Sequence, residues 1–152
     1  MNQNAANEYL KARVMTATPE QLQLMLFDGA IRFAEKGKQA MAAKVLDQSY
    51  LNISKAEKIL LELNCSLKPD LAPELCGNLA AIYMFCYRKL VEANTKRDEK
   101  ALEEAINILK YQRETWVMLM QQLGKAKAGA AAQNLKIPAP DARMEQSIRI
   151  SA

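Results

Sequence analysis

The side chains that carry most enzyme chemistry are sparse in this chain of 152 residues. Histidine is absent, which removes the commonest general base and the commonest metal ligand. A di-iron helical protein would need Glu-x-x-His pairs, and a helical phosphotransfer domain would need one exposed histidine. Three cysteines, Cys65, Cys76 and Cys86, form no Cys-x-x-Cys pair. Their odd number reads as reduced thiols, not as a disulfide framework or a zinc site. Ser49 and Ser54 have no evident base beside them. There is no Gly-rich phosphate loop, no Gly-x-Ser-x-Gly turn, and no pair of carboxylates set among apolar residues. The chain is therefore expected not to be an enzyme and to need no cofactor or metal.

What remains is apolar surface and the helices that would position it. Half of the residues are hydrophobic and only 6% are aromatic, so packing must rest on Leu, Ile, Ala and Met. The net charge is +4, and Lys125, Lys127, Lys136, Arg143 and Arg149 against Asp141 and Glu145 account for most of it. The rest of the chain is close to neutral, unlike a nucleic-acid binder, which concentrates positive charge on its folded surface. No window approaches the ~20 continuous apolar residues of a membrane span. The start, MNQNAANEYLKARV, lacks the apolar core of a signal peptide. These features predict a cytoplasmic protein that neither binds nucleic acid nor inserts into a membrane.

Four segments repeat apolar residues at three- and four-residue spacing. The first runs from about Thr18 to Lys36. Thr18 is the N-cap, Pro19 the first helical residue, Gln21 completes a capping box, and Gly37 is the expected stop. Leu22, Met25, Leu26, Ala30 and Phe33 form one stripe expected to be buried, and Leu24, Phe27 and Ile31 a second, rotated from it. The second segment starts near Ala42, ends at Ser66, and carries Leu46, Ser49, Ile53, Ala56, Leu60, Leu63 and Leu67. The third opens at Asp70 or Ala72 with Pro73 in its first turn, and its stripe is Leu75, Leu79, Ile82, Cys86, Leu90 and Ala93. Residues 94–97 form a connector. Asp98 caps the fourth segment, with Leu102, Ala105, Leu109, Gln112, Trp116, Leu119 and Leu123 on one face and Gly124 as its end. The pattern predicts an all-α fold: an antiparallel, up-down-up-down four-helix bundle over residues 18–124. Residues 1–17 would be a mobile N-terminal leader and residues 125–152 a flexible C-terminal tail.

Several residues admit two readings. Leu24, Phe27 and Ile31 are either a docking surface or packing against another helix of the bundle. Tyr9, Leu10, Val14 and Met15 are either a movable cover or a frayed leader. Asp28-Gly29, two poor helix formers inside a helix, marks a close backbone approach by a partner or by a neighbouring helix with Asp28 solvated. Tyr83 and Tyr87 present hydroxyls to a bound peptide or bury their rings at the bundle edge. Trp116 is expected in the core.

The run TATPEQLQLMLFDGAIRF closely resembles the signature of the flagellar secretion chaperones, the FliS family. The resemblance covers about residues 5–123 and continues through Asn78-Leu79, Ile82-Tyr83, Leu90-x-x-Ala93-Asn94, Leu109 and Arg113-x-x-Trp116. Where that family usually has tyrosine, this chain has Phe27, and the tail after Gly124 matches nothing in the pattern. The resemblance implies a cytoplasmic helical bundle that binds the disordered C-terminal segment of flagellin, prevents premature polymerisation and keeps it fit for flagellar type III secretion. It places the flagellin-binding groove on Leu22, Leu26, Phe27, Ile31, Phe33, Asn78, Tyr83 and Asn94. It gives Tyr9, Leu10 and Val14 the role of an N-terminal cover over part of that groove. The flagellar export apparatus and other flagellar regulators stand as further partners. The alternatives are a homo-oligomeric helical structural protein and a helical regulator that binds another disordered flagellar protein.

Overall fold

Local capping sets where the first long helix begins. In the computed structural model, which describes residues 3–70 and 72–135, the Gln21 amide donates to Thr18 Oγ1 at 3.1 Å and the Thr18 amide donates to Gln21 Oε1 at 2.9 Å. This reciprocal box, with Pro19 in the first turn, opens the helix as the sequence predicts. The described residues form five helices and no strand: α1 (Gln3–Thr16), α2 (Pro19–Ala42), α3 (Leu46–Cys65), α4 (Pro73–Lys96) and α5 (Glu99–Leu135). None of them is long and apolar enough to cross a membrane. The chain divides into two compact units, Met1–Arg113 and Glu114–Ala152.

Two of the expected stops are not stops. Gly37 lies inside α2, which continues to Ala42, so the second segment starts at Leu46 and not near Ala42. The helix ends instead in a Schellman motif: the Lys44 amide donates to the Met41 carbonyl and the Val45 amide to the Ala40 carbonyl. Lys44 takes the left-handed position at φ 62° that a glycine commonly fills. α4 closes the same way, with Arg97 at φ 53° and the Asp98 amide donating to the Ala93 carbonyl. The expected connector therefore shrinks, because residues 94–96 are still helical. Asp98 caps α5 as predicted, its Oδ1 accepting from the Lys100 and Ala101 amides at 3.0 and 3.2 Å. Gly124 does not end that helix, which runs on to Leu135. A lone glycine costs only ~1 kcal/mol relative to alanine inside a helix, and the alanines, lysines and glutamines around it favour continuation.

Two further expectations change. Residues 3–16 of the leader are helical, built from good helix formers such as Ala5, Ala6, Leu10, Lys11 and Ala12, and none of them is buried. Residues 125–135 of the tail are also helical, and the remainder of that tail lies outside the described residues. In the second unit Trp116 is half-buried rather than core, and Met118, Leu119 and Leu123 are exposed.

In the first unit the core is legible as one seam each on α2, α3, α4 and α5. α3 contributes Ser49, Ile53, Ala56, Leu60 and Leu63, and α4 contributes Tyr83, Cys86, Leu90 and Ala93. α5 adds Ala101, Leu102, Ala105, Ile106 and Leu109. The seam of α2 is Phe27, Ala30, Ala34 and Gly37, which runs between the two stripes predicted for it. Leu22, Met25, Leu26 and Phe33 on one flank, and Leu24 and Ile31 on the other, are half-buried. α2 packs on α3 and α3 on α4. The α2–α3 contacts pair Gln23 with Ser66, Gly29 with Ile59 and Gly37 with Ile53, so the two helices run in opposite senses. α5 meets α4 where the Cys86 thiol lies 3.5 Å from the Ala105 carbonyl, and meets α2 through Lys110–Glu35 at 2.8 Å and Arg113–Asp28.

The glycines explain how closely α2 and α3 approach. A Cβ on Gly37 would stand 2.6 Å from Ile53 Cγ1, whereas one on Gly29 would meet only the Cδ1 end of Ile59 at 3.3 Å. Gly37→Ala is expected to destabilise the fold by about 1–3 kcal/mol, because fully buried Ile53 cannot move aside. Gly29→Ala is expected to stay within about 1 kcal/mol of the parent, helix propensity offsetting the small shift of Ile59. Urea unfolding followed by circular dichroism separates the two.

Candidate functional site

Past the seam, α4 turns Ala81, Ile82 and Phe85 outward, and α5 sets Asn107, Ile108, Tyr111 and Gln112 opposite them. These residues line an open depression of about 520 Å³ with almost no polar surface. The two aromatic walls are exposed, Phe85 by 43% and Tyr111 by 70%. One turn away the pair of helices is pinned. Lys89 Nζ bonds Glu104 at 3.1 Å and Glu92 at 3.7 Å, and lies 5.6 Å from the centre of the Phe85 ring. The Glu104 hydrogen bond pushes Lys89 up from its ordinary pKa. A trough this apolar and open does not enclose a small metabolite among convergent polar groups. It does fit apolar side chains presented by another polypeptide, as in helix-in-groove recognition.

The residues singled out from the sequence do not converge on this trough. Phe27 and Tyr83 are buried, and their rings meet with centroids 6.3 Å apart in a tilted pair. Burial pushes the Tyr83 hydroxyl up, partly offset by its hydrogen bond with Gln23. Leu22, Leu26, Ile31 and Phe33 lie half-buried along α2. Asn78 is exposed near the start of α4, while Asn94 donates to Ser54 Oγ at 3.2 Å and to the Tyr50 carbonyl at 3.4 Å, tying α4 to α3. Tyr9, Leu10 and Val14 project from α1 with 66%, 47% and 46% of their surface exposed. The Asp28-Gly29 pair resolves as helix packing, except that Asp28 is not merely solvated: Arg113 donates to it from α5.

Phe85, Ile108 and Tyr111 were not singled out from the sequence. The signal was available, because Ile82 and Phe85 stand three apart, as do Ile108 and Tyr111, each beside a helix's buried seam. Phe85, Ile108 and Tyr111 fall outside the single stripe that three- and four-residue spacing gives α4 and α5.

The buried thiol supplies a prediction in this region. Burial pushes Cys86 from 9.0 up to about 12. Between those values the unfolded chain releases a proton that the folded chain keeps, so stability falls as pH rises. The contribution is intact below pH 9.0 and is gone once pH passes about 12. The urea midpoint is expected to drop measurably between about pH 9 and 11, and Cys86→Ala to flatten that decline. Tyr83, shifted in the same direction, retains part of it at the alkaline end.

Fold and trough together define a class, an all-helical protein whose exposed apolar surface suits the side chains of another chain. A family model described as flagellar protein FliS matches residues 1–136. The flagellar secretion chaperone FliS of Bacillus subtilis is 34% identical over 128 residues, covering 84% of this chain and 95% of that protein. The flagellar secretion chaperone FliS of Escherichia coli is 31% identical, covering 70% of this chain and 79% of that protein. The flagellar secretion chaperone FliSB of Pseudomonas aeruginosa is 30% identical, covering 70% and 85%. The chain belongs to the FliS family, a family of chaperones and not of enzymes.

Proposed function

We propose that this protein is a cytoplasmic export chaperone for flagellin, which holds the disordered C-terminal segment of its client in the α4–α5 trough. The observation that carries the reading is the open apolar trough walled by Phe85 and Tyr111, in a chain whose relatives are named flagellar secretion chaperones. The physical logic is direct. A terminal segment that makes subunit contacts in a filament has apolar residues that drive assembly when free, and burying them delays it. Ordering a disordered segment costs several kcal/mol, so a long apolar surface is needed to offset it. Leu22 and Leu26 on one flank of the α2 seam and Ile31 on the other are further half-buried apolar positions for the client. Phe27 and Tyr83 act from beneath, holding α2 and α4 in place. The opposite-running contacts support an up-down-up-down four-helix bundle of α2, α3, α4 and the first part of α5 as the scaffold.

The decisive experiment is a calorimetric titration with the last ~40–50 residues of the flagellin from the same organism, a length that can bury the ~1,000–3,000 Å² typical of coupled folding and binding. Micromolar or tighter association with a negative heat-capacity change is expected, and no association at micromolar concentration overturns the reading. The N-terminal cover is part of the same proposal. If Tyr9, Leu10 and Val14 compete with the client, removing residues 1–15 raises the affinity several-fold; a lowered affinity would make the leader a clamp, and an unchanged one removes it from the mechanism.

A further inference from the structure

A second surface lies on different helices from the trough. Phe33 of α2 is half-buried at the junction with α3, and three cations surround its ring. The Arg32 guanidinium carbon is 5.0 Å from the ring centre, Lys55 Nζ 5.3 Å and Lys36 Nζ 5.9 Å. Any two of these charges are therefore no more than about 11 Å apart, close to the ~10 Å Debye length at 0.1 M salt. The ring face offsets some of their mutual repulsion, but one quadrupole is shared by three cations. The contrast with the α5 side of the molecule is sharp. There Lys89 is paired with Glu104, Lys110 with Glu35, and Arg113 with Asp28. Among the described residues no carboxylate pairs with Arg32, Lys36 or Lys55. Asp28 and Glu35, the acidic residues that flank Phe33 along α2, are turned to α5.

We propose that the Arg32, Phe33, Lys36 and Lys55 cluster docks an acidic segment of a partner protein, at a surface separate from the trough. Carboxylates relieve the repulsion among the three cations, and Arg32 offers a fork for bidentate pairing. The exposed part of the Phe33 ring takes an apolar side chain set among those carboxylates. A protein segment fits better than a polynucleotide, because the folded part of the chain beyond this cluster is close to neutral and offers no extended basic track.

The test is fluorescence anisotropy of the full chain with a labelled glutamate-rich octapeptide carrying one leucine, the same peptide with glutamine for glutamate, and an eight-nucleotide oligothymidylate. The glutamate peptide is expected to bind about tenfold tighter than the glutamine one, the order set by a few exposed ion pairs. The double variant Lys36→Gln/Lys55→Gln removes that advantage, Lys36→Arg/Lys55→Arg keeps it, and Lys110→Gln leaves it within about twofold. Circular dichroism confirms the fold of each variant, and Phe33→Leu, which keeps an apolar residue there, lowers the peptide affinity by dispersing the cations. Equal binding of the two peptides overturns the proposal, as does tighter binding of the oligothymidylate, which would make the cluster a polyphosphate site. The flagellin-segment titration is expected to be unchanged in the glutamine double variant. A parallel loss there would assign the cluster to the trough client and overturn its independence.

Discussion

Replacing Phe85 and Tyr111 together with alanine is expected to weaken binding of the flagellin C-terminal segment by about 100-fold, equivalent to ~2.7 kcal/mol. Tyr111 is 70% and Phe85 43% exposed in the free chain, so their removal opens no enclosed cavity and lowers the unfolding midpoint much less than loss of a core ring does. The size follows from what aromatic anchors contribute at the centre of an interface, where truncation of one residue commonly costs ~2 kcal/mol or more. The two sit on opposite walls, Phe85 on α4 and Tyr111 on α5, so a client side chain seated between them loses both contacts at once. Calorimetry on the double variant reads the loss directly. A change below about threefold would move the client off this trough.

The opposite pattern is expected for Phe27→Ala. Phe27 is 1% exposed and its ring packs on Tyr83, so truncation opens a void between α2 and α4. The cost should be about 3–5 kcal/mol of folding stability, the range for a phenylalanine removed from a packed core. For a domain of this size that lowers the melting temperature by roughly 10 °C or more. Any fraction that remains folded should bind the client with near-parent affinity per folded molecule. Differential scanning calorimetry and the same titration separate the two effects. A stable Phe27→Ala protein that no longer binds would place this ring at the client surface after all.

These two residues also mark how far the sequence alone carries. Three- and four-residue spacing located the core seam of α3, because Ile53, Ala56, Leu60 and Leu63 are all buried, and put its end within a residue, but began the helix four residues early. The Thr18 box was legible because its chemistry is local. α2 was harder. Small residues carry its seam, Ala30, Ala34 and Gly37, while larger side chains flank it, so size pointed to the flanks. Gly37 reads locally as a terminator and acts tertiarily as a contact with Ile53. The true reversals use Lys44 and Arg97 in left-handed geometry, residues whose type gives no hint of it. The trough was missed because it is made by two helices at once, and neither Phe85 nor Tyr111 is unusual until the other stands across from it.

The ion pairs that close α5 onto α2 join residues far apart in the chain, Asp28 with Arg113 and Glu35 with Lys110. Synthesis runs from the amino end, so α2 leaves the ribosome long before its electrostatic counterparts exist. Until Lys110 and Arg113 emerge, its two carboxylates stay in water, and the seam that α3 and α4 cover lacks the flank that α5 adds. Such non-local closure slows folding relative to a hairpin of neighbouring helices and lengthens the interval in which an incomplete chain is sticky. A fold whose last lock is made by its last helix therefore stays open along one side until synthesis is nearly done.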